Sequence, residues 1–283
     1  MQFADVCKPL IEYTYNTCVE QDIEFQVLFT TNCGLLTDNM IDFLASKRCG
    51  MQITLDGGKE FHDRVRFFKD KSGSYDLILS NINKLNKAGI NIVLRINYTK
   101  GNLKSLNGIV NDIVKLNLPN KDLINVDFQR VWQDREGEFD DFIDASIEQI
   151  SNKLRQKGIH VSNHHLENLG LYSCYGDKKN HYVINYNGDF YKCTARDFNR
   201  KNRYGVLAED GTLIWDDGQE QTWLEAKFKF KVCRNCRIAP ICLGGCRQRG
   251  RERLDNGQCP LDRSEEDINQ KILWRFYCRH VAN

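Results

Sequence analysis

Proline is scarce in this chain, with four residues in 283, and long apolar runs are missing altogether. Nothing approaches the roughly 20 consecutive apolar residues of a membrane-spanning helix. The opening stretch MQFADVCKPL has no apolar h-region of a secretory signal, which points to a cytoplasmic, reducing address. An excess of charge of either sign is also absent: 40 Lys and Arg face 38 Asp and Glu, a balance that argues against a general nucleic-acid binder. Internal repeats and low-complexity segments are lacking. With 41% hydrophobic residues, these absences leave an ordinary globular protein rather than a disordered, fibrous or membrane-embedded one.

Cysteine is what the chain has in quantity, twelve in all. Cys233, Cys236, Cys242 and Cys246 form a CxxCx5CxxxC array in VCRNCRIAPICLGGC, where Pro240, Gly244 and Gly245 permit tight turns. Four soft thiolates on one short loop are what an iron–sulfur cluster or a zinc ion requires. Cys174 precedes Gly188 by thirteen intervening residues, Cys193 follows that glycine after four more, and Cys259 sits in a Cys-Pro pair downstream. Seven cysteines exceed one tetrahedral site. A disulfide framework is disfavoured, because a chain of this length buries a core without staples and thiols in a reducing compartment stay free or bind metal.

Residues 1–160 alternate helical and strand-like periods. Phe3, Val6, Leu10, Tyr13 and Thr17 recur at helical spacing, and FQVLFTT follows as a short apolar run of the kind found in buried strands. Thr37 and Asp38 offer an N-cap before a helix over residues 40–46, and MQITLDG is the next strand. Leu77, Ile78, Ile82 and Leu85 share a helical face in a segment that Gly89 stops. INIVLRIN, then a helix over 102–116, LINVDFQRVW and a helix over 139–158 complete four β–α repeats, which imply an α/β domain with a parallel sheet covered by helices. Beyond about residue 165 the pattern changes. NHYVINYNGDFYKC reads as a hairpin about Asn187-Gly188, GVLAEDGTLIW as a second, and residues 221–231 as a helix, ahead of the cysteine array. This smaller α+β half is expected to organise its core around metal, with SNHHLENLG as linker.

The cysteine spacing resembles the SPASM domain of radical S-adenosylmethionine enzymes, in which Cys, Gly-x4-Cys, CxxCx5CxxxC and a last Cys follow in that order. The first half resembles the partial (β/α) barrel of the same enzymes: TTNCGLL stands where the family has TNGTLL, ITLDG where it has ISLDG, and His62, Asp63 and Arg66 where it has HDxxR. The resemblance implies an incomplete radical-SAM-type partial barrel over residues 1–165 and a SPASM domain over 166–283. It also implies two auxiliary [4Fe-4S] clusters, one on Cys174, Cys193 and Cys246 and one on Cys233, Cys236, Cys242 and Cys259. Thr31, Asn32, Thr54, Asp56 and Asn97, at the C-terminal ends of strands, are the candidates to line S-adenosylmethionine, and by the resemblance Arg66 would pair with the cofactor carboxylate. Each has a plainer structural reading: Thr31 and Asn32 as turn caps, Asp56 serving the LDGG turn, Arg66 as a surface ion pair. Cys33 and Gly34 depart from the family's Gly-Thr, which affects the geometry of that loop. Cys278 is a remote candidate for a fourth ligand of the first cluster, and Cys7, Cys18 and Cys49 read as core residues.

The family's CxxxCxxC, which holds the catalytic cluster, and its GGEP motif do not occur in these 283 residues, and two of the six implied strands are missing. The expected function is therefore that of a radical enzyme which, in complete form and with an electron donor, modifies a peptide or protein substrate, with or without a leader sequence, by 5′-deoxyadenosyl-radical hydrogen abstraction. The chain alone is expected to be inactive, as a truncation would be. Two alternatives stand beside it: a non-catalytic, cluster-bearing accessory protein that recognises such a peptide, and a structural zinc protein. No catalytic residue is identified. The Arg and Lys clusters over residues 196–203, 227–237 and 247–253 would screen cluster charge, meet an acidic leader peptide, or form a solvated face.

Overall fold

The apolar runs of the first half pair as one five-stranded parallel sheet in the order β1-β2-β3-β4-β5, comprising Leu28–Thr31, Gly50–Asp56, Ile92–Tyr98, Ile124–Arg130 and His160–Val161. The computed structural model describes residues 3–131, 141–162, 174–227, 231–253 and 258–280. The chain separates into two units, Met1–Ser162 and Asn163–Asn283. Helices α1 (Lys8–Glu20), α2 (Asp38–Ser46), α3 (Lys59–Val65), α4 (Tyr75–Lys87), α5 (Leu106–Lys115) and α6 (Asp141–Arg155) alternate with the strands. The α/β architecture expected from the β–α repeats is the one observed. The short β5, hidden because two residues carry no period, extends it.

Ile53 and Leu55 of β2, Ile92, Leu94 and Ile96 of β3, and Ile124 and Val126 of β4 form a single core with Leu44 of α2, Ile78, Ile82 and Leu85 of α4, Ile109 and Ile113 of α5, and Leu154 of α6. Thr37 caps α2 as anticipated, its Oγ1 accepting the Met40 N–H at 3.3 Å. Gly89 follows α4 with φ +76°, the left-handed stop that a glycine supplies at no steric cost. Two helical faces differ from expectation. Leu77 is 41% exposed, because Ile78, Ile82 and Leu85 at i, i+4 and i+7 already fill the buried stripe of α4. Val6, Leu10 and Tyr13 are also exposed, and Ile11 is the fully buried member of α1.

The strands of this sheet are not buried on both faces, as their apolar content had suggested. Burial alternates along β2 and β3. One face carries the aliphatic residues beneath the helices. The other presents Gln52, Thr54 and Asp56 of β2 and Arg95 and Asn97 of β3, all half-buried, with Asp127 and Gln129 of β4 alongside in register.

In the second unit four short strands form an antiparallel sheet in the order β6-β7-β8-β9: Val183–Ile184, Asp189–Tyr191, Gly205–Leu207 and Leu213–Trp215. Both expected hairpins are present, the first turning at Gly188 with φ +83°. Its core is aromatic: Phe190, Tyr204 and Trp223 pack with Tyr182, Leu213 and Trp215. The helix expected over 221–231 spans Gln219–Glu225, with Ala226 as its C-cap. The proposed linker after its first residue, Ser162, and with it His164-His165, falls within residues 163–173, outside the described residues. Among the described residues no helix is long and apolar enough to cross a membrane.

Candidate functional site

The C-terminal ends of β2 and β3 bring Asp56 and Asn97 side by side, since the two are register partners. Asn97 Nδ2 donates to Asp56 Oδ1 at 2.8 Å, and Arg95 Nε donates to Asn97 Oδ1 at 3.1 Å. The other carboxylate oxygen of Asp56 is ion-paired with Arg66 Nε. Asp56 therefore serves the Arg66–Asn97 network rather than the LDGG turn. That turn is made by Gly57 at φ +74° and by Gly58, whose N–H donates to Ser105 Oγ at 2.9 Å. Arg66 keeps its Nη groups without a protein partner among the described residues and is 40% exposed, which leaves them available to an anionic ligand. Thr54 lies on the same face of β2, two residues before Asp56.

Thr31 and Asn32 are placed differently. Thr31 pairs with Ile53, not with Thr54, so it occupies the alternate register of the sheet, and its Oγ1 accepts the Cys33 N–H at 3.0 Å. Asn32 Oδ1 accepts the Gly34 N–H at 3.2 Å. Both thus cap the turn that carries Cys33. Cys33 itself holds a left-handed backbone, φ +60°, where the family has glycine. The strain is held by Thr31 on its N–H and by Asn81 Nδ2, which donates to its carbonyl at 2.7 Å. Burial pushes the Cys33 thiol up to about 12, so it is an inert core group. Asn32 and Arg66 nevertheless meet at a cavity of about 230 Å³ that Gly34, Val65, Phe67, Phe68 and Ser74 complete.

His62 positions both walls of this site and had been noted only as part of a motif. It is fully buried in α3. The Asp56 N–H donates to Nδ1 at 3.1 Å, which requires the tautomer with hydrogen on Nε2. Nε2 then donates to Ser74 Oγ at 3.0 Å, and Ser74 Oγ donates to the Arg66 carbonyl at 3.0 Å. Desolvation lowers the His62 pKa, which keeps the ring neutral, as this chain of bonds needs. Arg95, Asp127 and Gln129 were missed because the strands were read for apolar content; the alternation in VLRIN and INVDFQR was the available signal.

In the second unit, Cys246 is the N-cap of the helix Arg247–Glu252, and Cys242 ends the helix Ala239–Cys242. Leu243, Gly244 and Gly245 all have positive φ, three consecutive left-handed residues that reverse the chain between the two cysteines. Partial burial pushes the Cys174 thiol up; the Gly176 N–H opposes this, and the negative charges of Asp177, Cys246 and Cys193 add to it. The Cys233 thiol is likewise pushed up, first by desolvation and then by Cys259, Cys242 and Cys236. Each of these two thiols therefore lies within charge range of a different set of cysteines. Among the described residues no three or more His, Cys, Asp or Glu side chains are gathered as a site for one metal ion. The soft thiolate donors are of the type that zinc or an iron–sulfur cluster takes. All eleven described cysteines are free; the side chain of Cys278 is outside the described residues. Half of the described residues of the basic clusters are ion-paired: Arg196 with Glu252, Arg203 with Asp189 and Asp216, Lys227 and Arg247 with Asp177, Arg237 with Glu265, and Arg253 with Asp262.

No family model matches the chain. A cysteine-type anaerobic sulfatase-maturating enzyme of Clostridium novyi (strain NT) is 25% identical over 276 residues, covering 86% of this chain and 68% of that protein. Native anSMEcpe with bound AdoMet and Cp18Cys peptide superposes with a TM-score of 0.63 at 14% identity, over 99% of this chain and 83% of that one. SuiB of Streptococcus suis bound to S-adenosylmethionine gives a TM-score of 0.52 at 17% identity, over 83% of this chain and 57% of that one. The chain is thus homologous to an anaerobic sulfatase-maturating enzyme and shares the α/β fold, built on a parallel sheet, of these two S-adenosylmethionine-bound structures.

Proposed function

We propose that this chain is the barrel half and the SPASM domain of a radical S-adenosylmethionine maturase whose substrate is a peptide or protein. The observation that carries the proposal is the cysteine spacing: Cys174, Cys193 with four residues between it and Gly188, the CxxCx5CxxxC array of Cys233, Cys236, Cys242 and Cys246, and Cys259. By the connectivity that the resemblance implies, Cys174, Cys193 and Cys246 would hold one auxiliary [4Fe-4S] cluster and Cys233, Cys236, Cys242 and Cys259 the other. The Arg66 guanidinium, steadied by Asp56 and Asn97 beside the cavity at Asn32, suits the carboxylate of S-adenosylmethionine, with Thr54 on the neighbouring strand position. S-adenosylmethionine, when bound with a reduced cluster and an electron donor, supplies hydrogen-abstraction chemistry; the residues named here orient it and screen its charge. The peptide bound to anSMEcpe supports the substrate class.

Anaerobic reconstitution with iron and sulfide tests the proposal. The expected result is a brown protein carrying two clusters, with broad visible absorbance from thiolate-to-iron charge transfer. A colourless chain holding only stoichiometric zinc overturns it in favour of a structural zinc protein. Because these residues contain no CxxxCxxC, the reconstituted chain by itself is expected to release no 5′-deoxyadenosine from S-adenosylmethionine.

A further inference from the structure

Lys192 is only 2% exposed, and no carboxylate pairs with it among the described residues. A bare ammonium in such a place is costly, several kcal/mol, unless its donors are satisfied. All three are. Nζ donates to the carbonyl oxygens of Lys178 at 2.9 Å, Lys179 at 3.0 Å and His181 at 2.5 Å. It also sits over the rings of Tyr182, at 4.5 Å, and Trp223, at 4.3 Å. The three carbonyls belong to one short loop that follows Cys174, while Lys192 immediately precedes Cys193. The same loop is held at its other end: Trp223 Nε1 donates to the Gly176 carbonyl at 3.0 Å, and Asp177 takes Lys227 and Arg247, the latter adjacent to Cys246. Gly176 lies so close to the segment after β7 that a Cβ there would sit 2.9 Å from the Lys192 carbonyl oxygen.

From this geometry we infer that Lys192 is a positioning residue for the first thiol set: its buried ammonium folds residues 174–181 onto the segment after β7 that bears Cys193 and so holds Cys174 beside Cys193. The inference rests on the cluster assignment above for what the set binds, but the preassembly itself is a property of the metal-free chain. An apolar side chain of equal length would leave three inward carbonyls without donors, and the loop would open.

The test compares the wild-type chain with Lys192→Met and Lys192→Gln. In metal-free protein, a bifunctional thiol probe such as dibromobimane is expected to bridge Cys174 and Cys193, read by peptide mapping, with the yield falling several-fold in Lys192→Met and less in Lys192→Gln, whose amide can still donate two hydrogen bonds. After reconstitution, Lys192→Met is expected to lose the iron and the electron-paramagnetic-resonance signal of one cluster and to keep those of the other. Unchanged bridging in Lys192→Met overturns the inference. Wild-type protein that takes up no iron defeats the cluster reading but leaves the bridging comparison to decide the role of Lys192. Should both variants fail to fold, amine acylation of the wild-type chain decides: Lys192 acylated as fast as the exposed Lys178 overturns the inference, and strong protection of Lys192 supports it.

Discussion

Arg66, Asp56 and Asn97 come from three different places in the sequence, and what makes them one site is a side chain with no freedom of its own. His62 receives a backbone N–H from the end of β2 and, through Ser74, holds the carbonyl of Arg66. His62→Ala would leave the Asp56 N–H without its acceptor and take away the donor to the Ser74 hydroxyl, an expected loss of about 2 kcal/mol of stability in chemical denaturation. The neutral ring also sets a pH dependence. Desolvation lowers the His62 pKa from its ordinary 6.5, aided by Arg66 and Lys59 and opposed by Asp56 and Asp63. The unfolded chain therefore binds the proton first: the stabilisation is complete above 6.5 and is lost as pH falls below that value towards the lowered folded pKa. Urea midpoints measured between about pH 7 and pH 5 should fall in the wild-type chain, with this portion of the slope absent in His62→Gln. Identical slopes would remove His62 from the account. The motif residues were visible in the sequence, but the role of His62 was not, because a tautomer is chosen by partners that lie up to twelve positions away.

At the level of elements, β2 and β3 illustrate how apolar content and apolar pattern can lead to different conclusions. Counted together, their residues suggest strands buried on both faces. Taken alternately, Gln52, Thr54 and Asp56, then Arg95 and Asn97, mark a polar face opposite the helices. The antiparallel sheet of the second unit depends instead on a missing side chain. A Cβ on Gly205 would stand 2.0 Å from the Ile214 carbonyl oxygen and 2.5 Å from the Phe190 ring. Gly205→Ala must therefore push β8 away from β9 or displace the aromatic core, with an expected cost of about 3 kcal/mol. Thermal unfolding of the second unit followed by tryptophan fluorescence, with Trp215 and Trp223 in or against that core, should report it. A midpoint within a degree or so of wild type would mean that the strands yield without cost.

On the scale of the whole chain, the two units are stabilised by different means. Met1–Ser162 has a continuous aliphatic core, whereas Asn163–Asn283 has a small aromatic core and the seven cysteines proposed as cluster ligands. Where ligands are scattered along short helices and turns, metal-binding free energy is folding free energy. Cys236→Ala is accordingly expected to remove about half of the reconstituted iron and to make the second unit sensitive to proteolysis, while fragments of the first unit survive. Limited proteolysis with mass mapping checks this. Equal loss of both units, or unchanged iron, would contradict the assignment of Cys236.

Cysteine spacing, helical and strand periods and the turn glycines were local signals, and they sufficed for the α/β class, the order of elements and the position of both hairpins. Local signals suffice there because caps, turns and periodicity are set by neighbours within a few residues of one another. Tertiary structure alone decided which strand face is polar and open, that Thr31 and Asn32 cap a turn around the left-handed Cys33, that Val6, Leu10 and Tyr13 of α1 are exposed, and that Lys192 is buried among carbonyls. Each of these depends on register and on packing between segments far apart in the chain. A one-residue step in register exchanges the two faces of a strand, and the composition of the chain is the same either way.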